Sequence, residues 1–354
     1  MQPEPFVIGI TGNIASGKSV VRQILANLGV LTIDADLAAQ ETYLPGNPAY
    51  QPLIARFGSD LTLNDGQINR GKLGRIVFRD AAALAELEAM IHPLVTQKLL
   101  ETIGKTQRRV VAIEAIKLFE SGIDKHCDAL WAIAANDKVR LQRLMEDRGL
   151  DETAALTRIN AQSPQSEKIR LADKAIFTDI SFTYTYSQVS GHFSALGLLP
   201  FEVNSAEGNL RLSHLDPKDF ATASDFMEEK TDQTWGAEDL YRLLGQRTVV
   251  AVYHGGELVQ LMIFRIEQGM AVYLAHAPFR SDLLPSTISF PLLKQYLTGL
   301  TDMLIVTKDL LSLEEAKVLG FTYGDDEPPV HPVLYNNFLR KHGLMPGEVY
   351  FTKI

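Results

Sequence analysis

Short apolar runs alternate with amphipathic stretches through the first half of the chain. Phe6–Ile10, Val30–Ile33, Val110–Ile113, Ala129–Ala134 and Ala175–Phe177 have the length and composition of buried strands. Between them apolar positions recur at helical spacing. Val20, Val21, Ile24, Leu25 and Leu28 fall on one face, and Ala81–Met90, Pro93–Ile103 and Asp137–Asp147 also read as helices. Strands alternating with helices predict an α/β fold, a parallel sheet of five strands covered on both faces. In such sheets a ligand sits at the carboxyl ends of the strands. The stretch 38–105 is too long for a simple crossover and mostly helical, which suits a substrate-binding insertion. The stretch 140–170 is rich in arginine and suits a mobile lid.

The second half has a different pattern. Thr248–Tyr253, Glu257–Ile266 and Met270–Ala275 read as strands joined by tight turns at His254-Gly255-Gly256 and Glu267-Gln268-Gly269, an antiparallel meander. A helix at Phe290–Leu297, a strand at Met303–Lys308 and a helix at Ser312–Leu319 follow. This predicts a second, α+β domain over 208–354. The first domain is expected to end near Leu199-Pro200, with Ser205–Asn209 as a linker.

Length and charge narrow the possibilities. The 354 residues suffice for two cores. The net charge is −9, and residues 206–354 carry 13 basic and 20 acidic side chains. Neither half has the basic face of a phosphate-backbone binder, so no nucleic-acid partner is expected. No apolar run reaches membrane-spanning length, and no leader pattern precedes Phe6, so a cytoplasmic protein with no membrane partner is expected. The one cysteine, Cys127, excludes an internal disulfide framework and reads as a packing residue rather than a nucleophile.

Gly12 to Ser19 read GNIASGKS, a complete G-x-x-x-x-G-K-[ST] phosphate-binding loop between the first strand and the first helix. Backbone N–H groups at such a loop and helix start attract phosphate oxygens. Lys18 is placed to reach the β- and γ-phosphates and Ser19 to ligate Mg²⁺. Gly12, Asn13, Ala15, Ser16, Gly17, Lys18, Ser19 and Val20 are the expected ATP contacts. The second strand ends in Ile33-Asp34-Ala35-Asp36. Strand alternation would put both carboxylates on one side, able to hold Mg²⁺ and accept a hydroxyl proton. Asp36 could instead cap the next helix. Its neighbourhood to the phosphate loop favours the chemical reading.

With these motifs in order, the chain resembles dephospho-CoA kinase. The likeness rests on GITGNIASGKS, the IDAD strand end, INRGKLGRIVF at Ile68–Phe78, IHPLV at Ile91–Val95, EAIKLFESGI at Glu114–Ile123, RLQRLMEDRGL at Arg140–Leu150 and RINAQSPQSEK at Arg158–Lys168. The resemblance implies a P-loop kinase fold with helical insertion and lid, and transfer of the ATP γ-phosphate to the ribose 3′-hydroxyl of dephospho-CoA. It implies that Asp36 is the base and that Asp34 supports the metal and the acceptor. It places His92, Leu118 and Glu120 at the acceptor pocket; Lys117, where the family is usually apolar or small, could assist phosphate binding at the substrate site or snorkel along the cleft. It makes Arg143 and Arg148 lid arginines, with Gln162 and Arg158 in the second half of the lid. Arg140 is expected on a solvated face. Another P-loop kinase of small molecules or nucleotides, or an ATP-binding regulatory protein, remains the alternative. The loop departs from the family's GGIGSGK at Asn13 and Ala15. The second domain resembles the GCN-type N-acetyltransferase fold, including AKVLGF at Ala316–Phe321. The place of that family's pyrophosphate loop, Ala277 to Pro285, has two prolines and no glycine, so no acetyl transfer is expected.

Overall fold

The computed structural model describes residues 4–206, 208–231, 234–235, 237–267, 270–278, 286–298, 300–301, 303–307, 322–323 and 349–353. They form two compact units. The first comprises Met1–Lys18, Thr32–Thr106 and Val110–Ala175, and the second Ser19–Leu31, Gln107–Arg109 and Ile176–Ile354.

The five expected strands form one parallel sheet. They are β1 (Phe6–Thr11), β2 (Leu31–Asp34), β3 (Val110–Glu114), β4 (Ala129–Ala134) and β5 (Lys174–Phe177), ordered β2-β3-β1-β4-β5. β1 lies centrally, with Ile8 opposite Ala112 of β3 and Ala129 of β4. Gly9 is small for a reason: a Cβ there would meet Cys127 Sγ at 2.9 Å and Leu118 Cδ2 at 3.0 Å. Burial pushes the Cys127 thiol up to about 12, as suits a packing residue.

Helix α1 (Lys18–Asn27) buries Val21, Ile24 and Leu25 completely. Each such side chain contributes about 2 kcal/mol on leaving water. Val20, expected on the same face, is only half-buried. The insertion holds α2 (Ala35–Thr42), α3 (Tyr50–Phe57), α4 (Arg70–Val77) and α5 (Ala81–Lys105). It has its own core of Leu61, Ile68, Leu73, Val77 and Ala83. Side chains of Asn69 and Asp80 cap α4 and α5. Two helices were expected around His92-Pro93. The structure has one, because Pro93 removes a single N–H from a helix that continues for three turns beyond it.

After β4 come α6 (Asp137–Glu146), α7 (Glu152–Asn160) and α8 (Gln165–Leu171), and after β5 comes α9 (Phe182–Ala195). Asn136, Asp151 and Ser181 cap α6, α7 and α9.

The second sheet is built from β6 (Val203–Asn204), β7 (Leu210–Ser213), β8 (Thr248–His254), β9 (Glu257–Glu267), β10 (Met270–Pro278), β11 (Met303–Thr307), β12 (Thr322–Tyr323) and β13 (Val349–Lys353). Helices α10 (Phe220–Thr231), α11 (Ala237–Gln246) and α12 (Ser286–Leu297) accompany it. The order is β12-β13-β11-β10-β9-β8-β7-β6. The meander β8-β9-β10 is antiparallel as expected, whereas β10 and β11 run parallel. Val250, Val252, Phe264, Leu293, Leu297 and Leu304 are central to its core. Where a linker was expected, β6 and β7 pair antiparallel, and Ser205 N–H donates to Leu210 O at 2.8 Å. The helix expected at Ser312–Leu319, AKVLGF and residues 279–285 lie outside the described residues.

Candidate active site

The phosphate loop leaves β1 and turns tightly against β4. A Cβ at Gly12 would lie 2.3 Å from the Ile133 carbonyl oxygen, so only glycine fits. Ser16 N–H closes the turn on Asn13 O at 3.2 Å. Lys18 folds back over the loop and donates to the carbonyls of Gly12 (3.0 Å) and Asn13 (3.1 Å). An ammonium has three donors, so one is left for a phosphate oxygen. Ser19, the next residue, is exposed.

The departure from glycine at Ala15 has a structural reason. Ile14 and Ala15 pack against Leu144, Ala155 and Ile159, a small core inside the lid segment. Ala15 holds a left-handed backbone with φ 58°, which costs a non-glycine residue about 1 kcal/mol. Its contact with the lid core offsets part of that cost.

The lid grips the loop from both ends. Arg140 Nε donates to Ile14 O at 2.9 Å and Arg143 Nη1 to Ala15 O at 3.1 Å. From the other end, Gln162 Oε1 accepts the Ile14 N–H at 2.7 Å, and Asn13 Nδ2 donates to Ser163 O at 2.7 Å. Arg140 was expected on a solvated face. It is instead only 2% exposed, paired with Asp137 at 2.7 Å and aimed at the loop. Arg148 is exposed, yet close enough for its charge to act on Lys18.

The expected carboxylate pair takes a different form. β2 ends at Asp34, and Asp36 lies in the first turn of α2, so strand alternation does not relate them. Asp34 is the helix cap, its Oδ1 accepting Leu37 N–H at 2.9 Å. Asp36 is free of that duty and lies near the Ile116 backbone, whose N–H favours its charged form. Loss of surrounding water, then the charge of Asp34, push the Asp36 carboxyl above the ordinary range. Lys18, the Ile116 N–H and Lys168 pull it down. Asp36 is itself exposed, so the withdrawal of water is partial. Lys18 is pushed below the ordinary ammonium range by burial, while Glu114 and Asp36 hold it up and Lys168 and Arg148 add to the depression. The structure therefore brings Lys18 and Asp36 into electrostatic contact.

The residues expected at the acceptor pocket scatter more widely. His92 is half-buried in mid-α5. Lys117 pairs with Glu88 of α5. Glu120 is exposed and acts electrostatically on Lys168. Leu118 is fully buried beneath Gly9 and offers no surface to a ligand. Sequence reasoning missed Glu114 and Lys168. Nothing in their spacing marks them, because only the crossovers bring them to Lys18 and Asp36.

Among the described residues no three His, Cys, Asp or Glu side chains gather as a metal cage. The donors present, the exposed Ser19 hydroxyl and the carboxylates after β2, suit Mg²⁺, which keeps most of its water and is held by few protein oxygens together with phosphates.

The first half of the chain is similar to known proteins. The family described as Dephospho-CoA kinase matches residues 6–182. Dephospho-CoA kinase of Moorella thermoacetica is 40% identical over 195 residues, covering 54% of this chain and 92% of that protein. Dephospho-CoA kinase of Geobacillus kaustophilus is 41% identical over 174 residues, covering 48% and 87%. The crystal structure of TT1252 from Thermus thermophilus matches with a TM-score of 0.50 at 30% identity, over 55% of this chain and 99% of that one. The family match covers half of this chain, and the chain belongs to the dephospho-CoA kinase family.

Proposed function

We infer that the chain transfers the γ-phosphoryl group of ATP to the ribose 3′-hydroxyl of dephospho-CoA, yielding ADP and coenzyme A, the last step of coenzyme A synthesis. The observation that carries this reading is the coupling of Lys18 to Asp36 at the carboxyl edge of the sheet, in a chain of this family. Asp36 accepts the proton of the 3′-hydroxyl as its oxygen attacks the γ-phosphorus, and the bond to the β–γ bridging oxygen breaks. Lys18 directs its remaining donor to the phosphates. Arg143 and Arg148 supply positive charge from the lid, and lid closure over 140–170 excludes water. His92, Lys117 and Glu120 border the acceptor. When bound, Mg²⁺ neutralises charge on the β- and γ-phosphates. Ser19 would hold it, with Asp34 supporting its water shell. The reaction is assigned to the cytoplasm.

The test is ADP release by the full chain with ATP, Mg²⁺ and dephospho-CoA. Turnover should depend on all three and fail in Asp36→Asn. Protein that binds ATP but makes no coenzyme A above a no-enzyme control would overturn the reading. Faster turnover of another nucleoside or sugar acceptor would move the substrate assignment elsewhere.

Residues 208–354 are proposed to be an acetyltransferase-like domain without acetyl transfer. The reading is supported by two helices before a meander, then α12 and a strand parallel to β10. Its acidic balance, 13 basic against 20 acidic residues over 206–354, opposes a polyanionic ligand. Saturable micromolar binding of acetyl-CoA to the full chain in the presence of excess ATP and dephospho-CoA would refute the non-catalytic assignment.

A further inference from the structure

Arg70 opens helix α4 and is exposed. Asn69 caps that helix, so Arg70 stands in its first turn, where the helix dipole disfavours a cation. The stability of α4 therefore gains nothing from a positive charge here. Arg70 Nη1 donates to Gln40 Oε1 of α2. Gln40 lies four residues beyond Asp36 in the same helix, so the two share a face one turn apart. The half-buried ring of Tyr43, three residues further on, packs against the core of the insertion and feels the charge of Arg70. Two helices of the insertion thus place a guanidinium about one helical turn from Asp36.

Arg70 differs from its neighbours in its partner. Other cations on and around the insertion meet carboxylates: Arg56 with Glu86, Lys72 with Asp60, Lys98 with Glu41 and Lys117 with Glu88. Among the described residues Arg70 meets a neutral carboxamide and no carboxylate. A carboxamide orients a guanidinium without cancelling its charge. Gln40 occupies one of five N–H donors, and the planar fork that remains matches the oxygens of a phosphate. A solvated surface arginine needs no such holder.

The acceptor inferred above supplies the anion. In dephospho-CoA the 3′-hydroxyl and the 5′-diphosphate stand at opposite edges of one ribose ring, a span comparable with one helical turn of about 5.4 Å. With the 3′-hydroxyl at Asp36, the diphosphate reaches the position of Arg70. We propose that Arg70, held by Gln40, binds the 5′-diphosphate of the acceptor. The proposal rests on the reading of dephospho-CoA as acceptor and of Asp36 as the base.

The test uses the full chain carrying Arg70→Gln, Arg70→Lys or Gln40→Glu. Dephospho-CoA is titrated calorimetrically, which needs no turnover, and KM is measured for dephospho-CoA and for ATP with Mg²⁺. Arg70→Gln should weaken dephospho-CoA binding and raise its KM by about 10–100-fold, the scale of lost charge-assisted hydrogen bonds. KM for ATP should stay within about threefold. Arg70→Lys should recover part of the affinity, because it keeps the charge without the fork. Gln40→Glu gives Arg70 a carboxylate partner and should weaken dephospho-CoA binding about tenfold, although it adds an ion pair. Unchanged dephospho-CoA affinity in Arg70→Gln, an equal rise in both KM values, or tighter binding in Gln40→Glu overturns the proposal. So does an Arg70→Gln protein that fails to fold, since the arginine would then serve architecture alone. Wild-type protein that binds dephospho-CoA through Arg70 but makes no coenzyme A would remove the transfer reading and leave this site. Turnover with unaltered affinity in Arg70→Gln would remove this site alone.

Discussion

The side-chain oxygen of Asn27 accepts the backbone N–H of Val249 at 2.6 Å. Its amide nitrogen donates to the carbonyls of Leu244 at 2.7 Å and Arg247 at 3.0 Å. Asn27 is the last residue of α1 and is 3% exposed. Leu244 O is one of the carbonyls that the end of α11 leaves without a helical partner. One carboxamide thus completes the corner between α11 and β8, while the same helix begins at Lys18. Asn27→Ala should strand these groups and destabilise the protein by about 3 kcal/mol. A urea melt would read this as a lower midpoint at unchanged slope. An unshifted midpoint would mean that water replaces the carboxamide.

Arg108 makes the same point with a cation. Its guanidinium lies 3.6 Å from the Phe201 ring centroid and 5.2 Å from that of Tyr296. It also donates to Gly29 O at 3.3 Å and to Tyr296 O. Burial pushes it down to about 10. A chain cut after Pro200 loses Phe201 and Tyr296, together with every partner of Asn27. Such a protein should melt several degrees below the full chain in calorimetry. Equal melting of the kinase transition in both would show that these contacts contribute little.

Asp36→Asn should lower turnover by about 10²–10⁴-fold, with ATP binding largely kept. The pH dependence has a definite sign. A carboxyl raised in the folded state binds its proton more tightly there than when unfolded, so the native state loses stability as pH rises through the folded value. Asp36→Asn removes that loss and should be more stable than wild type at neutral pH, with the difference vanishing below the carboxylate range. Thermal melts at pH 4 and pH 7.5 check it. Wild-type activity should rise over the same interval in which the stability difference opens.

Arg140→Ala leaves the Ile14 carbonyl without its buried donor and opens the lid's grip on the loop. ATP affinity should fall about tenfold, with a stability loss of about 2 kcal/mol. Arg143→Ala, which removes a loop contact and a proposed transition-state charge, should act more on kcat. Isothermal titration against steady-state rates separates the two. Equal effects on affinity and rate in both variants would remove the distinction.

Ala15→Gly frees a left-handed residue of about 1 kcal/mol of strain and returns part of it as unfolded-chain entropy. A small rise in the denaturation midpoint is expected. A fall would show that the Cβ contact with the lid core outweighs the backbone strain.

What the sequence determined by itself is local in origin. The loop Gly12 to Ser19 depends on glycines at fixed offsets. The five strands and the buried face of α1 follow from apolar periodicity, which reports burial residue by residue. Short elements such as β6 and β7 carry too few residues for a period to show. Helix α10 does repeat its apolar residues at Phe220, Ala223, Phe226 and Met227, a signal the meander beside it obscured. The tertiary structure decided the assignments that rest on which polar group meets which. The strand ending at Asp34 and the helix starting at Ala35 made Asp34 the cap and placed Asp36 in the first turn of α2. The docking of the lid turned Arg140 inward, and the return of the chain through β3 and α8 brought Lys168 to Ile116 and Asp36. Such pairings join residues far apart in the chain, here 126 positions from Ile14 to Arg140 and 222 from Asn27 to Val249. No periodicity encodes them, because a buried polar side chain is placed by its partner, and the partner is placed by the fold.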